Sequence, residues 1–264
     1  MLNLLRMDLR RLPRNTAFKV ILILLAFDLT MTSFSLSYMI SHASDSSDLL
    51  GIVGVNSKVM TFGTFLRITI GQLGDLALYP AIFIVLFTNG DFSTGFIKSV
   101  AGQVRSRGML AVSKFITTVI YTVFYFAVYL LLSLLELTIF FDGINVPNAS
   151  KFVQYLLLTF YLYTAMMILI AAIAQIFRSN LVGIILGVMI ASGLLSSILK
   201  LINILLKKLE IDLDISKYTI TGCITSLKLT GDISDYSRHI IVGTVFIIVS
   251  IAATVFSYNK RDIA

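Results

Sequence analysis

Phe152-Val-Gln-Tyr-Leu-Leu-Leu-Thr-Phe-Tyr-Leu-Tyr-Thr-Ala-Met-Met-Ile-Leu-Ile-Ala-Ala-Ile-Ala-Gln-Ile-Phe177 carries no formal charge, and Lys151 and Arg178 close it at either end. A helix crossing the ~30 Å hydrocarbon core of a bilayer needs ~20 apolar residues at ~1.5 Å rise each, so this run predicts a membrane-spanning helix. Five more runs of the same kind lie at 18–40, 68–89, 113–140, 181–206 and 239–258. Together they explain a chain that is 57% hydrophobic and 13% charged, with a mean hydropathy of +0.93, against about 25% charged residues in soluble domains. The expected fold is all-α: a polytopic membrane protein of six transmembrane helices, one domain over 1–264.

The net charge of +7 does not point to nucleic acid, because the basic residues stand at the ends of apolar runs rather than on a soluble face between stacking aromatics. Such placement is what the positive-inside rule and anionic inner-leaflet lipids select. With the N-terminus inside, Arg6, Arg10, Arg11, Arg14, Lys19, Lys98, Arg105, Arg107, Lys114, Arg178, Lys260 and Arg261 fall on the cytoplasmic side. Lys58, Arg67, Lys151, Lys200, Lys207, Lys208, Lys217, Lys228 and Arg238 fall outside, where Glu210, Asp212, Asp214, Asp232 and Asp235 balance the last loop. Both termini are therefore expected in the cytoplasm of a multi-pass protein of a cell membrane, one of prokaryotic type.

Residues 1–16 precede the first span. Leu2, Leu5, Leu9 and Leu12 recur at three- and four-residue spacing within one ~100° sector, with Arg6, Arg10, Arg11 and Arg14 outside it. This pattern predicts an interfacial amphipathic helix on the inner leaflet, a topology anchor or also a contact for a cytoplasmic partner. The apolar continuation is too long for a signal peptide.

Ionisable groups inside a span are costly and become functional candidates. Asp28, Thr32 and Ser35 form a polar stripe on one face of the first span, and Gln72 and Asp75 sit one turn apart on the second, before Pro80. They are candidates for a translocation path or gate, the alternative being polar residues satisfied at helix contacts. Glu136 and Lys200 lie toward outer span ends, where snorkelling lowers their cost. Gly183 and Gly187 form a GxxxG that predicts close helix packing, within the bundle or between protomers.

Motifs of catalysis are not found in the sequence. His42 and His239 are the two histidines, without an HExxH or acid cluster, so no metal site is expected; no GxSxG occurs, and Cys223 is the single cysteine. The stretch Gly90-Asp-Phe-Ser-Thr-Gly-Phe-Ile-Lys98 fails as a P-loop, because Phe96 and Ile97 separate the second glycine from the lysine. The chain is expected to be no enzyme and to bind no cofactor; any ATP and Mg²⁺ belong to a partner.

Between the second and third spans the segment Asn89-Gly-Asp-Phe-Ser-Thr-Gly-Phe-Ile-Lys-Ser-Val-Ala-Gly-Gln-Val-Arg-Ser-Arg-Gly-Met-Leu-Ala-Val-Ser-Lys114 combines an acid, a Gly-apolar-apolar-Lys step, a basic pair and a lysine opening the next helix. It resembles the coupling region of ABC-2-type transporter permeases, with Asp91 where that family usually carries Glu. The order of an amphipathic basic N-terminal helix, six spans, a short turn at Arg178-Ser-Asn180 and a larger outer loop at 207–238 is similar to that family along the whole chain. What the resemblance implies is a permease that pairs with a second, identical or homologous permease and docks two separate ATP-binding subunits through a short cytoplasmic coupling helix in the loop 90–112. Asp91, Phe92, Gly95, Phe96, Lys98, Arg105, Arg107 and Lys114 are the coupling candidates, Phe92 and Phe96 as an apolar knob and the bases against an acidic rim. The plainer reading of this loop is a solvated basic turn that only sets topology.

Small permeases of this length resemble those that export, or confer immunity to, antimicrobial peptides such as lantibiotics and bacitracin; the expected substrate is amphipathic, a peptide, drug or lipid. The alternatives are an ion-coupled secondary carrier or channel using Asp28 and Asp75, and a membrane scaffold. The outer segment 207–238 is expected to form a small extracellular cap, its period-2 run Leu209–Ile215 reading as a strand or as an amphipathic continuation of the fifth helix.

Overall fold

The computed structural model describes residues 2–42, 60–72, 75–93, 95, 108–141, 149–208, 215–228 and 233–260. Among these the regular structure is entirely helical. The helices are α1 (Leu2–Arg11), α2 (Thr16–His42), α3 (Phe62–Arg67), α4 (Asp75–Ser93), α5 (Gly108–Phe140), α6 (Ala149–Phe177), α7 (Asn180–Ala191), α8 (Leu194–Lys208), α9 (Ile220–Ser226) and α10 (Ile233–Lys260). A π turn at Ile68–Gln72 follows α3, and a 3-10 turn at Ile215–Tyr218 precedes α9.

Four helical stretches are long and apolar enough to cross a membrane: Thr16–Ser41, Gly108–Phe140, Ala149–Phe177 and Tyr236–Lys260. A fifth is the pair α7 and α8, if the two count as one span bent by 61°; Leu76–Phe92 is a shorter apolar helix. Of the run expected at 68–89, Ile68–Gln72 is π-helical and the part from Asp75 on belongs to α4. Residues 73 and 74, between the two parts, lie outside the described residues. The run at 181–206 breaks at Gly193, which holds φ +72, a backbone region open to glycine without steric cost.

The outer surface is apolar, unlike that of a water-soluble bundle. On α2, Ile23, Phe27, Met31 and Phe34 are exposed, and on α10 so are Ile241, Val245, Ile248 and Phe256. The inside is apolar as well, around Leu25, Phe65, Leu162 and Met167, with hydroxyl-bearing side chains such as Ser33, Thr159, Tyr125 and Tyr163 set among them. Contiguous apolar faces of this size are unfavourable in water at about 25 cal/mol per Å² but cost nothing against lipid tails. Multi-pass membrane protein is therefore the class that the long apolar helices fit.

Helix α6 is the hub, touching α4, α5, α7, α9 and α10. Its Tyr163 resolves a defect that the sequence builds into α4. Pro80 has no N–H to give the carbonyl four residues earlier, and the buried Tyr163 hydroxyl donates to that carbonyl, Leu76 O, at 2.6 Å. The glycines of the GxxxG face this same centre. A Cβ on Gly183 would stand 2.7 Å from Val85 Cγ1, and one on Gly187 3.2 Å from Ile170 Cγ2. The close approach is thus made inside the chain, to α4 and α6.

Within 207–238 the described residues, 207–208, 215–228 and 233–238, are mostly helical. Thr219 caps α9 by accepting from Gly222 N at 3.0 Å, and Ile220, Cys223, Ile224 and Leu227 enter the main core. Residues 209–214, the period-2 run save Ile215, lie outside the described residues. Burial pushes the Cys223 thiol up to about 11, so that it packs as a small apolar group rather than a nucleophile. Ser226 donates to Cys223 O at 3.0 Å and lies 2.9 Å from His239 Nε2.

Candidate functional site

At one end of the bundle, residues from remote parts of the chain converge on Lys114. This lysine sits two turns into α5, with its ammonium 2.9 Å from Asp8 Oδ1 of α1 and 2.6 Å from Asp91 Oδ2 of α4. Asp91 presents its other oxygen to Arg11, with Nη1 at 2.6 Å. Ser113 Oγ donates to Asp8 Oδ2 at 3.5 Å, and the Lys114 ammonium stands 4.7 Å from the centre of the Phe87 ring. Two acids and two bases close into a neutral chain that ties three helices together.

The burial is what makes this chain energetically decisive. The side chains of Asp8, Asp91 and Lys114 are 3%, 7% and 10% exposed, whereas Arg11 keeps 42%. An isolated buried charge costs several kcal/mol, so each carboxylate depends on its cation. Asp91 also lies in the last turn of α4, where the helix dipole disfavours a negative charge. Two cations within 2.6 Å offset that.

An aromatic layer lies beside the ion chain. Phe92 meets Tyr258 of α10 edge to face at 6.1 Å, and Leu4, Leu110 and Ala111 complete this small second core. The Arg178 guanidinium stands over both rings, at 5.2 Å from Phe92 and 5.9 Å from Tyr258. Arg178 holds φ 53, unusual for a non-glycine residue, in the two-residue link between α6 and α7, whose N-cap is Ser179. These cation–π contacts supply a return of roughly 0.5–1 kcal/mol each, comparable to the local backbone cost.

Of the coupling candidates, the structure brings Asp91, Phe92 and Lys114 together. Phe92 packs inward against Tyr258 rather than standing out alone. Gly95 closes α4 with φ +68, its N–H donating to Phe92 O at 3.2 Å. Phe96, Lys98, Arg105 and Arg107 lie outside the described residues, as does most of the proposed coupling helix. Ser93 and Gly108 mark where that loop leaves α4 and enters α5.

The path candidates are less connected. Asp28 and Thr32 are half-buried on α2 and Ser35 is exposed, and among the described residues none of the three makes a side-chain hydrogen bond. Gln72 ends the π turn and Asp75 opens α4, but their side chains are outside the described set. Glu136 differs from the snorkelling expectation: it is buried, and its Oε1 accepts from Thr30 Oγ1 of α2 at 2.8 Å. Helix α2 crosses α5 closely at this level, so the carboxylate finds a hydroxyl nearer than the interface.

Asp8 escapes a reading that sorts the N-terminal stretch into leucines and arginines. Its signal is still present: one acid among four arginines, three residues from Leu5 and four from Leu12, on the apolar sector. Arg178 and Tyr258 carry no such local signal, since each is one polar group at a span end.

No family model matches the chain, and no curated protein does either.

Proposed function

We propose that this chain is the permease subunit of an ATP-binding-cassette exporter of the ABC-2 type, moving an amphipathic substrate outward. Two separate ATPase subunits would supply ATP hydrolysis, and a second permease, identical or homologous, would complete the path. The observation that carries this reading is the ion chain Asp8–Lys114–Asp91–Arg11. It sits at both roots of the loop 94–107, where a push on that loop reaches α4, α5 and α1 at once.

Contacts between distant parts of the chain support six passes with both termini on one side. Asp8, Asp91, Lys114, Arg178 and Tyr258 meet at one end. Ser37 with Phe140, and Phe62 with Phe152, meet elsewhere. Each stretch linking the two groups is one pass, with α7 and α8 as a bent fifth. The excess of arginine and lysine near the first group supports a cytoplasmic position for it. The rival carrier reading rests on Asp28 and Asp75; the Asp28 carboxylate has no hydrogen-bond partner among the described residues, and the Asp75 side chain lies outside them.

The orientation is tested by thiol labelling in a Cys223→Ala background. Arg105→Cys is expected to react with a membrane-impermeant maleimide only in inverted vesicles, and Lys151→Cys only in intact cells. The opposite pattern would overturn both topology and role.

A further inference from the structure

The bend between α7 and α8 opens a cavity of about 380 Å³ at the level of the π turn, large enough for part of a small amphiphile. Its inner wall is apolar, formed by Leu76, Ala77, Met166 and Ile224. Its remaining surface carries hydroxyls, those of Ser192, Ser196, Ser197, Thr221 and Thr225, and two cations, Arg67 and Lys200. Among the described residues no carboxylate lines it. Asp75 is the one acid in the chain segments that form the walls (60–81, 155–166, 191–200, 221–227), against two bases, so the surroundings stay net positive even with that acid included.

Arg67 and Lys200 are exposed side chains that form no ion pair with any residue whose side chain is described. Gly193, through its positive φ, turns the chain so that the serines one turn later share this surface with Lys200. The hydroxyls of Ser192, Ser196, Ser197 and Thr225 donate to backbone carbonyls close by in the chain, so the guanidinium and the ammonium are what match an oxyanion such as phosphate, and the apolar wall matches a hydrocarbon tail.

We infer that this cavity binds the phosphate head of an anionic amphiphile, with Arg67 and Lys200 on the head and the Leu76–Met166–Ile224 wall against the tail. This site goes beyond the exporter reading and holds whichever engine drives the chain.

The test uses the purified full-length chain in neutral maltoside micelles, with binding read by native mass spectrometry and by the shift in unfolding temperature. Three probes separate the sources: lysophosphatidate, a monoacylglycerol of the same chain length, and inorganic phosphate. Lysophosphatidate is expected to bind about tenfold or more tightly than either of the others, since charge-assisted hydrogen bonds and tail burial act together. Arg67→Gln and Lys200→Gln are each expected to weaken it by roughly tenfold, and Arg67→Lys to retain most of it. Thr225→Trp, at an exposed position on the rim, is expected to block entry without disturbing the fold. Equal binding of the neutral glyceride, binding untouched by both glutamine variants, or inorganic phosphate binding as tightly as lysophosphatidate would each overturn the assignment.

Discussion

Lys114→Met is expected to destabilise the protein by about 3–5 kcal/mol, the range found when one partner of a buried ion pair is removed. The loss falls unevenly on the two carboxylates. Asp91 retains Arg11 at 2.6 Å, but Asp8 is left with Ser113 at 3.5 Å while only 3% of its side chain is exposed. Adding Asp8→Asn to Lys114→Met should therefore recover part of the loss, because a neutral amide is cheaper to bury than an unpaired charge. Arg11→Gln should cost no more than ~1 kcal/mol, since its side chain is 42% exposed and solvent screens it. Thermal unfolding of the detergent-solubilised chain checks the order: Lys114→Met lowest, the double variant above it, Arg11→Gln nearest wild type. Equal melting of Lys114→Met and Arg11→Gln would mean that the ion chain does not hold the three helices.

Gly183→Leu is expected to be the other severe lesion. Replacing an interior glycine by a good helix former gains about 1 kcal/mol in a free helix. Here a Cβ already falls 2.7 Å from Val85 Cγ1, and Val85 is fully buried on α4 with a branched side chain that has little room to turn. Overpacking of this kind costs about 1–3 kcal/mol, and a leucine adds three further carbons to the clash. Unfolding temperature and the yield of monodisperse protein both should fall, the steric term outweighing propensity. Val85→Ala in the same chain should restore part of the loss; no restoration would place the close contact elsewhere.

These two sites differ in how legible they were. The GxxxG announced a close approach, and only its partner was left open; the structure supplies Val85 and Ile170 from the same chain. Asp91 and Lys114 stood out as charges next to apolar runs. Their bridge to Asp8 did not, because the meeting of residues 106 apart depends on how α1 folds back against α5. Apolar runs were readable as helices because periodicity and length are local properties. The π turn at Ile68–Gln72 and the break at Gly193 were harder, since neither changes the hydropathy of an apolar run. Tyr163 belongs to the same category: Pro80 predicts an orphaned carbonyl, but which hydroxyl reaches it is a matter of packing. Glu136 was misjudged for a similar reason, its Thr30 partner lying on another helix.

The most direct test of the central proposal is affinity purification of the tagged chain from its native membranes, in wild-type form and with Phe96→Glu in the loop. Phe96 is preferred to Phe92, whose ring meets Tyr258 and whose loss would disturb the bundle itself. The account predicts that an ATP-binding subunit accompanies the wild-type chain and is lost from the variant while the permease still folds. A wild-type chain that purifies without any ATPase and transports substrate by itself would contradict it.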